Sequence, residues 1–89
     1  MKVIFNSYLL SSTKVKSIDL DFTGTFKELF DMLCIMYGPE FESLILTDGK
    51  LSTKAIVLVN DSFLNKETAF SEYIENDDTV TFLPIIAGG

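Results

Sequence analysis

The stretch of sequence that decides the fold is "ENDDTVTFLPIIAGG", residues 75–89. Its first part predicts a turn at residues 76–78, because Asn and Asp side chains hydrogen-bond to nearby backbone and tolerate turn conformations. A strand with alternating faces follows, and a proline, which cannot donate to a sheet, ends it. The inward positions are Val80 and Phe82, the outward positions are Thr81 and Leu83, and Pro84 is the stop.

Two further strands are predicted at the start of the chain. Val3 and Phe5 fall on one side of the first strand, and Ile4 and Asn6 fall on the other. After a turn at "SSTK", residues 11–14, the segment "KSIDLDF" alternates apolar and polar residues with a period of two. Such alternation is typical of the second strand of a hairpin.

A helix is predicted to begin at Thr25, because Glu28 stands three residues later and the two form the pattern of a capping box. Apolar residues then recur at helical spacing, and the pair Gly38-Pro39 ends the helix. Pro39 can start a second, short helix, and Asp48 with Gly49 predicts a tight turn. The apolar stripe, which must cover a sheet, consists of Phe26, Leu29, Phe30, Leu33, Cys34 and Tyr37. Cys34 is interpreted as a small core residue, and Ile35 is predicted to be exposed.

The apolar run "AIVLVN", residues 55–60, predicts a central strand. The order of elements indicates an α+β protein with the β-grasp (ubiquitin-like) fold, in which a mixed sheet has one main helix across one face. The first and last strands are expected to lie side by side in the middle of that sheet. The predicted organisation is one domain over residues 1–84 and a flexible carboxyl-terminal Gly-Gly tail over residues 85–89.

Composition excludes several classes of function. The chain has 89 residues and a formal charge of -6, and its seven basic residues are scattered, so nucleic acid is not expected as a partner. We expect a cytoplasmic protein, because the sequence has no apparent signal peptide or membrane span. With no His and one Cys, zinc sites built on those residues, four-Cys clusters and His-dependent nucleophiles are excluded. We therefore expect no bound metal or cofactor, and no enzyme activity from this chain alone.

The segment "DDTVTFLPIIAGG" resembles the carboxyl end of the MoaD family, the small sulfur-carrier subunit of molybdopterin synthase, within the MoaD/ThiS ubiquitin-like proteins. The segments "LTDGKL" and "VLVND" are similar to that family's turn and third strand. The resemblance implies that an activating enzyme uses ATP to adenylate Gly89, beside Gly88, and that sulfur replaces AMP to leave a thiocarboxylate. It also implies that this sulfur builds the dithiolene of the molybdenum or tungsten cofactor.

The resemblance further implies two partners, a MoeB-like adenylating enzyme of the E1 type and a MoaE-like large subunit that forms a heterotetramer with the small one. The sequence departs from the family at Ile85, where a second proline is common, and at Asn6, where an exposed aromatic residue can stand. Phe63 corresponds to an exposed apolar position of the family, although a role in closing the core is an alternative. The predicted partner-binding residues are Phe63, Leu83, Ile4, Pro84, Ile85, Ile86 and Ala87.

Three other functions fit the same sequence. The carrier could deliver sulfur to thiamine thiazole, to tRNA or to an amino acid. The chain could be a ubiquitin-like modifier that joins Gly89 to a lysine of a target protein, or a β-grasp interaction module without terminal chemistry.

Overall fold

The computed structural model describes residues 1–6, 9–52 and 55–84, without the side chains of Ser11 and Pro84. The strands are β1 (Lys2–Phe5), β2 (Ser17–Asp19), β3 (Gly24–Thr25), β4 (Leu46–Thr47), β5 (Lys50–Leu51), β6 (Ala55–Val59), β7 (Ser62–Phe63), β8 (Tyr73–Ile74) and β9 (Thr79–Pro84). The helices are α1 (Leu10–Thr13), α2 (Phe26–Tyr37) and α3 (Pro39–Ile45), and a 3₁₀ turn spans Ala69–Ser71.

The main sheet has five strands in the order β2-β1-β9-β6-β7. Strand β9 lies in the centre, parallel to β1 and antiparallel to β6. Two smaller ladders, β3 with β8 and β4 with β5, flank it. This mixed sheet with one main helix is the β-grasp arrangement, so the predicted fold class is confirmed, including the central pairing of the first and last strands.

Helix α2 begins and ends as the sequence predicts. The backbone N–H of Glu28 donates to Thr25 Oγ1 over 3.2 Å, and the backbone N–H of Thr25 donates to Glu28 Oε1 over 2.9 Å. This reciprocal capping satisfies two N–H groups that a helix start leaves free. At the other end Gly38 has φ +86°, a conformation that favours glycine, and Pro39 opens α3.

The core is built around aromatic rings that join the sheet to the helices. Phe82 of β9 lies with its ring centre 5.9 Å from that of Phe5, 6.0 Å from that of Phe26 and 5.7 Å from that of Phe41. These contacts link the central strand to β1, α2 and α3. The last strand before the tail is therefore fixed by the best-packed part of the molecule.

Some local details differ from the predictions. The segment "SSTK" is predicted as a turn, but its first three residues complete the one-turn helix α1, closed by Lys14 with φ 65°. The segment "KSIDLDF" forms a strand only at Ser17–Asp19. It ends there because Asp19 pairs with Lys2, the first residue of β1. Beyond it, the side chain of Asn76 accepts from the backbone N–H of Phe22 over 2.8 Å. The predicted tight turn is present: Asp48 and Gly49 have φ 53° and 78°, as in a two-residue hairpin.

Candidate functional site

The site is built on β9, whose two faces have different surroundings. Val80 and Phe82 are fully buried beneath the helices, whereas Thr81 and Leu83 are half-buried on the opposite face. The alternation predicted for this strand is thus confirmed. The strand extends to Pro84, and the tail residues predicted to react or to bind, Ile85, Ile86, Ala87, Gly88 and Gly89, lie outside the described residues.

Apolar side chains from four strands lie together on the outer face of the sheet. Cross-strand pairs join Ile4 to Thr81, Thr81 to Leu58, and Leu58 to Phe63. Next to this row, nearer the tail, Ile56 pairs with Leu83. Because directly opposite residues of neighbouring strands share one face, these side chains form a continuous surface. We call Ile4, Ile56, Leu58, Phe63 and Leu83 the outer patch.

The outer patch lacks contact with the hydrophobic core. Its members are half-buried, except for Phe63, which is 75% exposed, and none of them packs against the hydrophobic core. The alternative role of Phe63, closing the core, is therefore wrong. Single exposed apolar residues are common on proteins, but a contiguous set on one face indicates a binding surface.

Sequence reasoning identified Ile4, Leu83 and Phe63 but missed Ile56 and Leu58. These two residues lie in β6, whose run of apolar residues hides the alternation between faces. The signal was present, since a strand that is apolar at every position has an apolar outer face too. Asn6 stands where the MoaD family can have an exposed aromatic residue. It is half-buried just after β1, and its backbone N–H donates to Phe82 O over 3.1 Å.

One end of the sheet carries several carboxylates, close to Lys2 and the amino group of Met1. The loop before β9 carries Asp77 and Asp78, and Asp61 lies in the neighbouring turn after β6. Asn60 links these two loops, because its side chain donates to Asp78 Oδ1 over 3.1 Å and accepts from the backbone N–H of Thr79 over 3.0 Å. The six residues of β9 span about 20 Å. An acidic edge thus lies about 20 Å from the end of the sheet where the tail begins.

Cys34 lies away from the outer patch, on α2. It is partly buried and packs against the core. Burial raises the pKa of its thiol to about 11, and the nearby carboxylates of Glu42 and Asp31 add to the increase. Since the thiolate is the reactive form, the thiol remains protonated and unreactive near neutral pH.

Within the described ranges, no three His, Cys, Asp or Glu side chains come together as a metal-binding group. The helices in this part of the chain are also too short or too polar to cross a membrane.

Comparison with known proteins identifies the family. The ThiS family profile matches residues 3–89, nearly the whole chain and including the terminal glycines. The chain belongs to the ThiS family. Membership places it among the ubiquitin-like sulfur carriers and modifiers. This assignment is broader than the molybdopterin branch that the tail resembles. No curated protein matches the chain significantly.

Solved structures of similar proteins share the fold over nearly their whole length. A chain of the BexX/CysO complex from Amycolatopsis orientalis is 25% identical, with a TM-score of 0.84 and coverage of 99% of this chain and 98% of that one. CysO from Mycobacterium tuberculosis is also 25% identical, with a TM-score of 0.79 and coverage of 96% and 98%. Small archaeal modifier protein 1 from Methanosarcina acetivorans is 18% identical, with a TM-score of 0.78 and coverage of 99% and 94%.

Proposed function

We propose that this ThiS family member is a sulfur carrier that works through its carboxyl terminus. The carboxylate of Gly89 attacks ATP on an activating enzyme, pyrophosphate leaves, and an acyl-adenylate forms. A sulfur donor then displaces AMP, so that a thiocarboxylate replaces the unreactive carboxylate. The observation that carries this proposal is that the family match includes the terminal Gly-Gly pair. This pair follows an acidic turn, a strand and a proline.

The chemistry explains why the tail ends in glycine. Gly88 and Gly89 have no Cβ, so a partner can enclose their backbone closely, in conformations that other residues avoid. Catalysis in this proposal belongs to the partner. The carrier contributes the reacting carbonyl and holds it in place, which makes the transfer effectively intramolecular.

Positioning is the task of the folded domain. β9 is held by hydrogen-bonded neighbours on both sides and by the packing of Phe82, so the tail leaves from a rigid base. The outer patch lies on the same strands and provides apolar surface on which a partner can dock, with Leu83 one residue before Pro84. The ordering of several tail residues costs about 1–2 kcal/mol each, which such docking can offset. The relative solved as a complex of CysO with BexX supports action together with a second protein.

We propose molybdopterin synthesis as the pathway, because "DDTVTFLPIIAGG" resembles the MoaD tail. The large synthase subunit would bind the tail, with Pro84, Ile85, Ile86 and Ala87 along its path, and would transfer sulfur to a pterin precursor. Two small and two large subunits would then form a heterotetramer. Ile85 in place of a second proline makes this tail somewhat less stiff.

Other uses of the same terminus remain open as alternatives. Sulfur transfer to thiamine thiazole, tRNA or an amino acid uses the same activated Gly89. The likeness to small archaeal modifier protein 1 favours a protein modifier as a further candidate. A modifier accumulates as slow-migrating conjugates on a blot of cell extract. A carrier shows one oxygen-to-sulfur exchange in the intact mass of the free protein, and incubation with the candidate acceptors then distinguishes the pathways.

Deletion of Gly89 tests the proposal. The variant keeps a free carboxylate, on Gly88, but places it about 3.3–3.6 Å short along an extended chain. A misplacement of about 1 Å between reacting groups can cost on the order of 100-fold, so thiocarboxylate formation with the cognate activating enzyme should fall by at least that factor. The melting temperature should not change, because an exposed terminal residue contributes little to folding.

Addition of one glycine after Gly89 is the matched control. It leaves the domain intact but turns the reacting carboxylate into an ordinary amide, so activity should be lost as well. If the shortened protein instead forms the thiocarboxylate at a near-normal rate, the terminal position is not the reacting group and the proposal is wrong.

A further inference from the structure

A second surface, separate from the tail, lies at the open edge of the sheet. A groove of about 290 Å³ runs between β7 and β8 and is lined by Val59, Phe63, Leu64, Glu72 and Tyr73, among others. Phe63 and Tyr73 are the two most exposed aromatic residues in the described part of the chain, at 75% and 63%. Two exposed rings in one groove form an apolar surface that none of the described residues covers.

The backbone of Phe63 has free hydrogen-bonding groups at this groove. In the β6–β7 hairpin, Val59 pairs with Ser62 and Leu58 with Phe63, and the N–H of Leu64 donates to Val57 O over 2.8 Å. Hydrogen-bonded and non-hydrogen-bonded pairs alternate in an antiparallel ladder, so Leu58 and Phe63 form a non-hydrogen-bonded pair. The N–H and C=O of Phe63 therefore point away from β6, towards the open edge of the sheet, where the described residues supply no further strand.

The same pattern occurs at β8. The N–H of Phe26 donates to Glu72 O over 2.8 Å, so the next pair, Thr25 with Tyr73, is a non-hydrogen-bonded pair. The backbone groups of Tyr73 consequently point away from β3. Each exposed aromatic residue of the groove thus belongs to a strand that has one unpaired edge among the described residues.

Charge adds a preference for one kind of ligand. Glu72 is the one charged residue among those that line the groove, and its Oε2 accepts a hydrogen bond from Thr68 Oγ1 over 3.1 Å. The whole chain carries a formal charge of -6. Such a groove is complementary to a segment with basic residues, which the overall field would also attract.

We infer that the groove between β7 and β8 binds an extended segment of a partner protein, with alternating basic and apolar side chains, by adding it as a strand to the open edge at Phe63. The N–H and C=O of Phe63 pair with the backbone of the segment. Its apolar side chains contact the rings of Phe63 and Tyr73, and a basic side chain reaches Glu72. Strand addition of this kind takes affinity from backbone hydrogen bonds and specificity from alternate side chains. The inference does not depend on sulfur transfer.

The test is the titration of the ¹⁵N-labelled full chain with the peptide acetyl-Lys-Val-Lys-Val-Lys-amide, followed by NMR. The amide signals of Phe63, Leu64 and Tyr73 should shift, and hydrogen exchange at the Phe63 amide should slow. The peptide acetyl-Glu-Val-Glu-Val-Glu-amide should cause no such change. A third peptide, the basic one with alternate backbone nitrogens methylated, cannot pair as a strand and should bind more weakly.

Variants of the protein separate the backbone from the side chains. Phe63→Ala removes the ring and keeps the N–H, whereas Phe63→Pro removes both. Because this N–H points out of the sheet, proline is compatible with the hairpin. If one net hydrogen bond is lost, Phe63→Pro should bind the basic peptide about 2- to 13-fold more weakly than Phe63→Ala.

Tyr73→Ala should weaken binding of the basic peptide, and Glu72→Gln should weaken it by at most about 5-fold. Leu83→Ala, on the outer patch, is the control and should have no effect.

Several outcomes would overturn the inference. One is the absence of binding at millimolar peptide. Another is unchanged binding when the peptide is methylated and when Phe63→Pro replaces Phe63→Ala. This result would indicate side-chain contact without strand addition. A third is shifts at Ile4 and Leu83 in place of Tyr73, which would put the peptide on the outer patch. The methylated peptide keeps the test decisive even if the proline variant fails to fold.

Discussion

Both faces of the main sheet carry apolar residues, but those residues differ in burial. On the inner face, Phe5, Val57 and Phe82 are almost completely buried, because α2 and α3 cover them. On the outer face, Ile4 and Leu58 are only half-buried, and no core contact places any of the described helices over them. Residue type therefore does not separate core from binding surface in this protein. The difference is the covering layer: the covered face provides stability, and the uncovered face is free to bind a partner.

The largest expected effect is on the covered face. Phe82→Ala removes a ring that contacts three other core rings, and large-to-small changes of this kind cost about 3–5 kcal/mol. Since small domains are stable by only about 5–15 kcal/mol, the variant should be much less stable or unfolded. Urea denaturation followed by circular dichroism measures this change. The control is Leu83→Ala, its neighbour on the uncovered face, which should cost less than half as much.

A smaller effect is expected when charge is placed on the uncovered face. Phe63→Lys and Leu83→Lys should each weaken binding to the proposed activating enzyme by roughly 10-fold or more, because interface-centre apolar residues commonly contribute over 1 kcal/mol. Phe63→Lys should change the free energy of unfolding by about 0.5 kcal/mol or less, as is usual for exposed sites. Leu83→Lys, at a half-buried site, should cost more than Phe63→Lys but less than Phe82→Ala. Calorimetric binding and a thermal melt of each variant separate the two properties. If Leu83→Lys melts like Phe82→Ala, the distinction between the faces fails.

The smallest effect concerns the helix that makes the covered face. Thr25→Ala removes the capping box and should lower the free energy of unfolding by about 1 kcal/mol, without affecting binding to the outer patch. The hydrogen bonds from the backbone and side chain of Thr25 also hold the pKa of Glu28 below its ordinary value of 4.5. A carboxyl group with a lowered pKa in the folded state stabilises the fold above its unfolded pKa.

The sign of this linkage gives a pH dependence. The contribution of Glu28 is complete above pH 4.5 and disappears as the pH falls through the lowered pKa of the folded state. The stability difference between the original protein and Thr25→Ala should therefore narrow in acid. Urea denaturation at neutral pH and at about pH 3 checks this expectation. A constant difference would mean that the hydroxyl of Thr25 does not contribute to the lowered pKa, because the backbone N–H of residue 25 can donate to Glu28 in both proteins.

The elements that the sequence predicted well carry strong local signals. The helix from Phe26 to Tyr37 has both a capping box and a full apolar stripe, and β9 has clear alternation and a proline stop. The two-residue strands were missed, because a ladder of two pairs is too short to leave a periodic pattern in the sequence. The extent of β2 was also missed, since it is set by the register with β1, in which Asp19 pairs with Lys2, the first residue of that strand.

The candidate site could be predicted only in part, for a related reason. Leu83 and Ile4 were identified from the phase of strands that alternate, and Phe63 from a family resemblance. Ile56 and Leu58 were not, because the apolar run of β6 does not show which residues face a helix. Register supplies that information: the pairs Ile56 with Leu83 and Leu58 with Phe63 bring the outer patch together across strands distant in sequence.

The position of β9 has a consequence for how the protein is made. Lys2 pairs with both Asp19 and Thr79, so β1 can pair early with β2 but can join β9 only after residues 79–84 have left the ribosome. Such non-local pairing folds slowly and as one late event. An incomplete nascent chain lacks both the central strand and the residues that follow it. A partner that recognises the assembled sheet therefore also selects for chains synthesised at least to the start of the tail.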